Sequence, residues 1–240
     1  MIKLITETAD FPKFCGAFAA KIKGQMISYG LNRPFALFWR QVTKSGETTA
    51  LISRFDNYFT LAVLKGTNLD EIKEFMKIIG GQSLTCSEAA ARAMGFDITH
   101  SFAVLSMIKP CDKKALSPVF LEREQLQKTY DILCTSKQTA PGDFDAWHAD
   151  ISHRLRHGTA RLVSSDKAAG VASVCGDKML INAVCVLSKY RGQGEGERVL
   201  KALCENMGKI YVFSVNENVG FYEKLGFKLL DTGVNVNELF

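Results

Sequence analysis

Between Ile181 and Leu203 the sequence INAVCVLSKYRGQGEGERVLKAL runs apolar, breaks at Ser188, crosses a glycine-rich turn and resumes with helical spacing. That is a strand, a loop and a helix. The loop, Arg191-Gly192-Gln193-Gly194-Glu195-Gly196, holds three glycines, which let a ligand approach the backbone, and the following helix opens with N–H groups that have no partner inside it. Such donors, together with the positive end of the helix dipole, suit a phosphate or pyrophosphate. A tight connection between packed elements would use glycine equally well. Two common phosphate loops do not fit. No Gly-Lys-Ser/Thr closes the turn, so the P-loop lysine and magnesium hydroxyl are missing. The dinucleotide fingerprint fails as well: Gly192-x-Gly194 is followed by Glu197 where a third small residue is expected, with too little chain left for a doubly wound sheet.

The run Val186 to Gly196 resembles motif A of the GNAT acyltransferase superfamily, in which Arg/Gln-x-x-Gly-x-Gly/Ala follows a strand and opens a helix. Asn216-Glu217-Asn218-Val219-Gly220-Phe221-Tyr222-Glu223-Lys224-Leu225-Gly226-Phe227 resembles motif B of the same family, at the right distance and in the right order. The resemblance implies an α+β fold with a mixed, mostly antiparallel central sheet flanked by helices. It also implies acetyl-CoA as cofactor and an N-acetyltransferase that moves the acetyl group directly to a primary amine of a small molecule or protein. The alternative is a non-catalytic acyl-CoA-binding or protein-interaction module on the same fold.

The resemblance also assigns roles. Val184, Cys185 and Val186 would pair with the pantetheine arm like an added strand, the amides of Arg191, Gly192, Gln193, Gly194, Glu195 and Gly196 would meet the pyrophosphate, and Asn218 would hydrogen-bond the cofactor. Asn218 stands closer to Tyr222 than the family spacing, which implies a shortened helix start. Tyr222 would protonate the leaving thiolate, a plausible task for a phenol of ordinary pKa ~10; without the motif it reads as a core aromatic between Phe221 and Phe227. The Val186 N–H would serve the thioester carbonyl as oxyanion donor. The family's strand carboxylate is missing from Leu180-Ile181-Asn182-Ala183-Val184-Cys185, so a general base would have to be Asp177 or one of His148, His153 and His157 acting through water. Cys185 as a covalent nucleophile lacks an evident base, and the chemistry requires no metal.

The elements that must position these groups can be read in order. Phe11 to Ile27 suits an amphipathic helix; Phe35–Gln41, Thr49–Arg54 and Tyr58–Leu64 read as an antiparallel meander. Asn68 caps a helix to Ile79, Ser83 to Cys86 forms a strand, and Ser87 starts a helix that ends at Met94-Gly95-Phe96. This order echoes the C-terminal half and implies two tandem units, the first a degenerate copy without the glycine loop or a cofactor of its own; an unrelated α+β domain is the other reading. Pro110 and Pro118 bracket a charged stretch. Domains are therefore expected at 1–108 and 121–240, with a linker at 109–120. Helices over Leu121–Thr135 and Phe144–Leu155 come next, and strands over Thr159–Ser164, Gly170–Val174, Leu180–Leu187 and Lys209–Val215 complete the pattern.

The chain has 240 residues, 47% hydrophobic and 23% charged, enough for one large domain or two small ones. A net charge of +5, with basic residues spread out, does not point to nucleic acid. The tightest cluster, Arg154, Arg156, His157 and Arg161, reads as a solvated helix face, or as a site for an acidic substrate or the cofactor's adenosine phosphates. Seven scattered cysteines without a Cys-x-x-Cys pair indicate neither zinc nor a disulfide framework, and most should be buried thiols. Neither a signal peptide nor an apolar run of ~20 residues is present, so a cytoplasmic protein without membrane contact is expected, as monomer or homodimer.

Overall fold

Local chemistry sets many element ends. The Asn68 side chain accepts the Glu71 N–H at 3.0 Å, Ser87 accepts from Ala90 and Asp143 from Ala146, so three helices begin where a short polar side chain satisfies an orphan donor. The computed structural model describes residues 1–12, 16–111 and 119–240. Its elements in chain order are β1 (Ile2–Leu4), α1 (Ala17–Tyr29), β2 (Ala36–Val42), β3 (Thr48–Phe55), β4 (Tyr58–Val63), α2 (Leu69–Ile79), β5 (Ser83–Ser87), α3 (Glu88–Ala93) and β6 (His100–Ile108). There follow α4 (Arg123–Cys134), α5 (Phe144–Arg156), β7 (Ala160–Ser164), β8 (Ala168–Cys175), β9 (Lys178–Val186), α6 (Glu195–Leu203), β10 (Lys209–Ser214), α7 (Val219–Lys224) and β11 (Lys228–Asn237).

Two compact units share this chain. The first comprises Met1–Leu105, Phe213–Glu223 and Lys228–Phe240; the second comprises Ser106–Val212 and Lys224–Phe227. Each is an open mixed sheet flanked by helices, as the fold expectation had it. Strand order in the first is β1-β2-β3-β4-β5-β11-β6, and in the second β10-β9-β8-β7. The anticipated meander is present, with β2, β3 and β4 antiparallel.

Element order repeats along the chain, and so does its pairing. β4 meets β5 in parallel over Tyr58–Thr60 only, and β9 meets β10 in parallel over Lys178–Ile181 only. The helices that follow β4 and β9 differ at their openings. Asn68 caps α2, acidic Asp70 and Glu71 fill its first turn, and Glu71 pairs with the Met1 ammonium at 2.9 Å and accepts from Gln41 at 2.7 Å. No side chain caps α6.

The first core gathers Trp39, Ile52, Phe59, Ile72, Met76 and Leu84 with Val234, Val236 and Leu239 from the chain end. In the second, Leu126, Leu133, Ile151 and Leu155 of α4 and α5 pack on Ala169, Val171 and Cys185. Several expectations need correction. Helix α1 starts at Ala17, after Gly16, rather than at Phe11, and residues 13–15 with Phe14 lie outside the described residues, as do residues 112–118 of the linker. Strands β1, β6 and β11 had no counterpart in the pattern reading. Among described cysteines only Cys86, Cys185 and Cys204 are buried, Cys134 is exposed and Cys111 and Cys175 are in between. Burial pushes the Cys86 thiol up to about 12 and Cys204 to about 11, which makes both inert at neutral pH.

Candidate active site

The site begins with a change in how β9 is paired. On one side it stays with β8 from Lys178 to Val186; on the other it leaves β10 after Ile181. The β8 register passes from Val171↔Ala183 to Ala172↔Ile181, so Asn182 is the extra residue of a bulge. A bulge bends and twists its strand. Beyond it, the Leu187 N–H donates to the Lys167 carbonyl at 2.9 Å. Because opposed antiparallel residues alternate between pairs that exchange backbone bonds and pairs that do not, 187/167, 185/169 and 183/171 are the bonded pairs. The N–H and C=O of Val184 and Val186 therefore face away from β8, and of these the Val186 carbonyl is taken up by a side chain. Arg191 Nε lies 3.3 Å from the Val186 carbonyl and donates to it.

β9 runs into the glycine turn. Gly192 and Gly194 have φ of 77° and 82°, in the left-handed region that favours glycine, and a Cβ at either would meet nothing within 4 Å. Gly194 is the N-cap of α6, so the N–H groups of Glu195, Gly196 and Glu197 have no i−4 partner inside the helix. Close packing positions the helix: a Cβ on Gly170 of β8 would lie 2.6 Å from both the Val199 and Leu203 side chains. A free strand edge leading into an uncapped glycine turn fits an elongated ligand with a phosphate end, so coenzyme A fits the residues present.

Charge around the turn is arranged by a residue whose side chain the sequence reading did not consider. Glu195 was expected to contribute its amide; its carboxylate is turned inward, 8% exposed, with Arg198 at 2.6 Å and Lys167 at 3.2 Å. Burial alone would raise its pKa, but hydrogen bonds and charge from Arg198 and Lys167 more than reverse this and hold it below the ordinary glutamate value. The Lys167 and Lys189 ammonium groups also sit over the Tyr190 ring, 5.3 and 4.9 Å from its centre. Gln193 turns back to donate to the Lys189 carbonyl. Lys167 and Arg198 carry no motif signal, since only the folded hairpin brings Lys167 to the helix start.

Val184, Cys185, Val186 and Arg191–Gly196 are thus assembled in the second unit, whereas Asn218 and Tyr222 belong to the first. Asn218 is exposed and ends a 3-10 turn that leads directly into α7. The Tyr222 ring is 7% exposed and packs edge-on to Phe221. Cys185 is buried in the α4/α5 core with the Thr135 hydroxyl 3.4 Å away, a core thiol rather than a nucleophile. Asp177 stands at the opposite end of β9, nine positions from Val186 or about 30 Å of strand, too far to serve as base. His153 and His157 face each other at 4.3 Å and His148 lies against Phe144, on a helix packed against α4 and β7. The basic cluster does not act as a patch, because Arg154 binds Asp150 and Ser173 and Arg161 binds the Leu203 and Glu205 carbonyls. A separate hollow of about 730 Å³ between α4 and β7 includes no residue of β9 or the glycine turn.

Residues 135–239 match the family described as the acetyltransferase (GNAT) domain. Over that stretch the chain is similar to a GNAT acetyltransferase domain. No curated protein matches by sequence. Solved structures share the fold: a GNAT-family acetyltransferase from Colwellia psychrerythraea (12% identity, 99% of each chain, TM-score 0.53) and a GCN5-related N-acetyltransferase from Sphaerobacter thermophilus (12%, 98% of this chain and 94% of that one, 0.58). A tandem GNAT protein from the clavulanic acid biosynthesis pathway is similar over 89% of this chain and 86% of its own (12%, 0.53). The GNAT domain match includes the glycine turn, Asn218 and Tyr222, and both halves of the chain take part in the likeness of fold. Among the described residues no helix is long and apolar enough to cross a membrane, and no cluster of His, Cys, Asp or Glu could hold a metal ion.

Proposed function

We propose that this protein is an acetyl-CoA-dependent N-acetyltransferase that moves the acetyl group directly to a primary amine. The observation that carries the reading is the free edge of β9 leading into the uncapped turn of α6, within a segment that matches the GNAT domain. Acetyl-CoA, when bound, would supply an activated acyl thioester. Val184 would hold its arm through its outward N–H and C=O groups, with Cys185 and Val186 continuing the strand alongside it. The amides of Gly192, Gln193, Gly194, Glu195 and Gly196 would receive the pyrophosphate, whereas the Arg191 N–H, expected to join them, is spent on the Ser188 carbonyl at 3.3 Å. The Val186 N–H steadies charge on the thioester carbonyl, Asn218 orients the cofactor, and Tyr222 Oη gives its proton to the departing sulfur. With no carboxylate on β9 near the turn, the amine enters deprotonated or loses its proton through water. The acceptor is a small-molecule or protein amine, the protein is cytoplasmic, and it works as a monomer or homodimer without nucleic acid or membrane.

The missing strand carboxylate favours a second reading, a non-catalytic acyl-CoA-binding or interaction module. Consumption of acetyl-CoA with a panel of amines separates the two. Cofactor binding is tested first by melting the protein with increasing acetyl-CoA. A ligand at about 100 times its Kd adds about 2.7 kcal/mol of apparent stability. The expected result is a saturable rise that Gly194→Asp abolishes while remaining folded; no rise at millimolar acetyl-CoA refutes the acetyltransferase reading and leaves the non-catalytic one.

A further inference from the structure

The bend in β9 needs something to hold it. Asn182, the bulged residue, is exposed, and its Oδ1 accepts a hydrogen bond from Ser173 Oγ at 2.8 Å. Ser173 Oγ also meets Arg154 Nη2 at 2.7 Å, and Arg154 Nη1 meets Asp150 Oδ2 at 3.3 Å. The direction of this chain is fixed by chemistry, because a guanidinium can only donate. Ser173 must accept from Arg154 and so spends its own proton on Asn182. Its hydroxyl rotor is set by Arg154, and the Asn182 amide is set by the hydroxyl.

Arg154 is largely buried, with 13% of its side chain exposed, and its Nε has no hydrogen-bond partner. Leaving a buried donor unsatisfied is costly, so this guanidinium is poorly placed for stability alone; what its placement achieves is the orientation of Ser173. The network ties α5 to β8 and β9 at the point where β9 parts from β10.

We propose that Asp150, Arg154, Ser173 and Asn182 are positioning residues that hold the β9 bulge and thereby aim the backbone groups of Val184 and Val186. None touches the glycine turn, so the network governs the reacting end of the ligand and not its phosphate end. The kinetic part of this inference rests on the acetyltransferase reading; the structural part does not.

Ser173→Ala removes one hydroxyl, and Arg154→Met removes the guanidinium while keeping an aliphatic stem. In the free full-length chain, residue-resolved hydrogen exchange should rise about tenfold or more at Ala183 and Cys185, whose N–H groups bond to β8, and at Leu187, which bonds to Lys167 just before it, with α6 and β8 unchanged. With acetyl-CoA and an accepted amine, kcat should fall about tenfold while the KM for acetyl-CoA stays within about threefold. Asn182→Asp, which keeps the accepting oxygen, should retain most of kcat. Folded Ser173→Ala with wild-type exchange over 183–187 overturns the proposal, as does uniform loosening of the second unit or a kcat left intact. If wild-type protein turns over no acetyl-CoA, the acetyltransferase reading fails and the exchange result alone still decides for or against the network. Should Arg154→Met not fold, Ser173→Ala carries both measurements.

Discussion

Tyr222 bears on the proposed chemistry and Glu195 on the glycine turn, and each can be tested by a single substitution. Tyr222 is buried against Phe221, so removing its hydroxyl changes chemistry more than packing. If Oη is the acid, Tyr222→Phe should lower kcat about a hundredfold with acetyl-CoA affinity nearly unchanged, as read from steady-state rates and a binding titration. An unchanged rate would return the ring to the core. Glu195 predicts a pH dependence. Its folded pKa lies below the unfolded one, so between the two values the unfolded chain binds more protons and stability rises with pH. The contribution is fully present above the ordinary glutamate range and disappears as pH falls through the lowered folded value. Melting temperatures of wild type and Glu195→Gln should therefore differ at neutral pH and converge in acid. The glycine turn was legible from residue type alone, but this carboxylate was not. Its burial depends on Lys167, which arrives from a hairpin 28 positions away in sequence.

At the scale of elements, the second unit depends on how closely α6 lies on β8. Gly170 is in contact distance of Val199 and Leu203 even without a side chain. Gly170→Ala would push the helix away, at a cost of about 1–3 kcal/mol, measurable by denaturant unfolding, and would shift the α6 amides along with it. Weaker acetyl-CoA binding should accompany the loss. Apart from the start of α1, capped helices were well foreseen: α2 runs from its Asn68 cap to Ile79, and α5 begins at Phe144 after its Asp143 cap. Strand edges were less so. Pattern alone could place β9 but could not reveal that its pairing with β10 stops at Ile181, because a strand's own residues do not encode where its neighbour diverges.

On the scale of the whole molecule, the chain end is committed to the first unit. β11 pairs antiparallel with β5 from Gly233↔Ser87 to Asn237↔Ser83 and buries Val234 and Val236 in the core, with Leu239 just beyond. Each such side chain is worth about 1.5–3 kcal/mol, a large share of a domain's total stability of about 5–15 kcal/mol. A chain ending at Phe227 should leave the first unit unfolded. Trp39 lies in that unit's core and Trp147 against the core of the second, so fluorescence of the Trp39-only and Trp147-only variants would report each unit separately. Loss of a cooperative Trp39 transition is the expected outcome.

By itself the sequence determined the things that short-range chemistry controls: the glycine turn with its left-handed positions, the helix caps, the alternation of strands and helices, and its repetition in the two halves. Tertiary structure alone decided where KLLDTGVNVN goes, since its polar residues mask a strand that forms in the place between β5 and β6. It also decided that Asn182 bulges and that Glu195 is buried. Those outcomes depend on contacts between residues far apart in sequence, whose energies appear only once the backbone has brought them together.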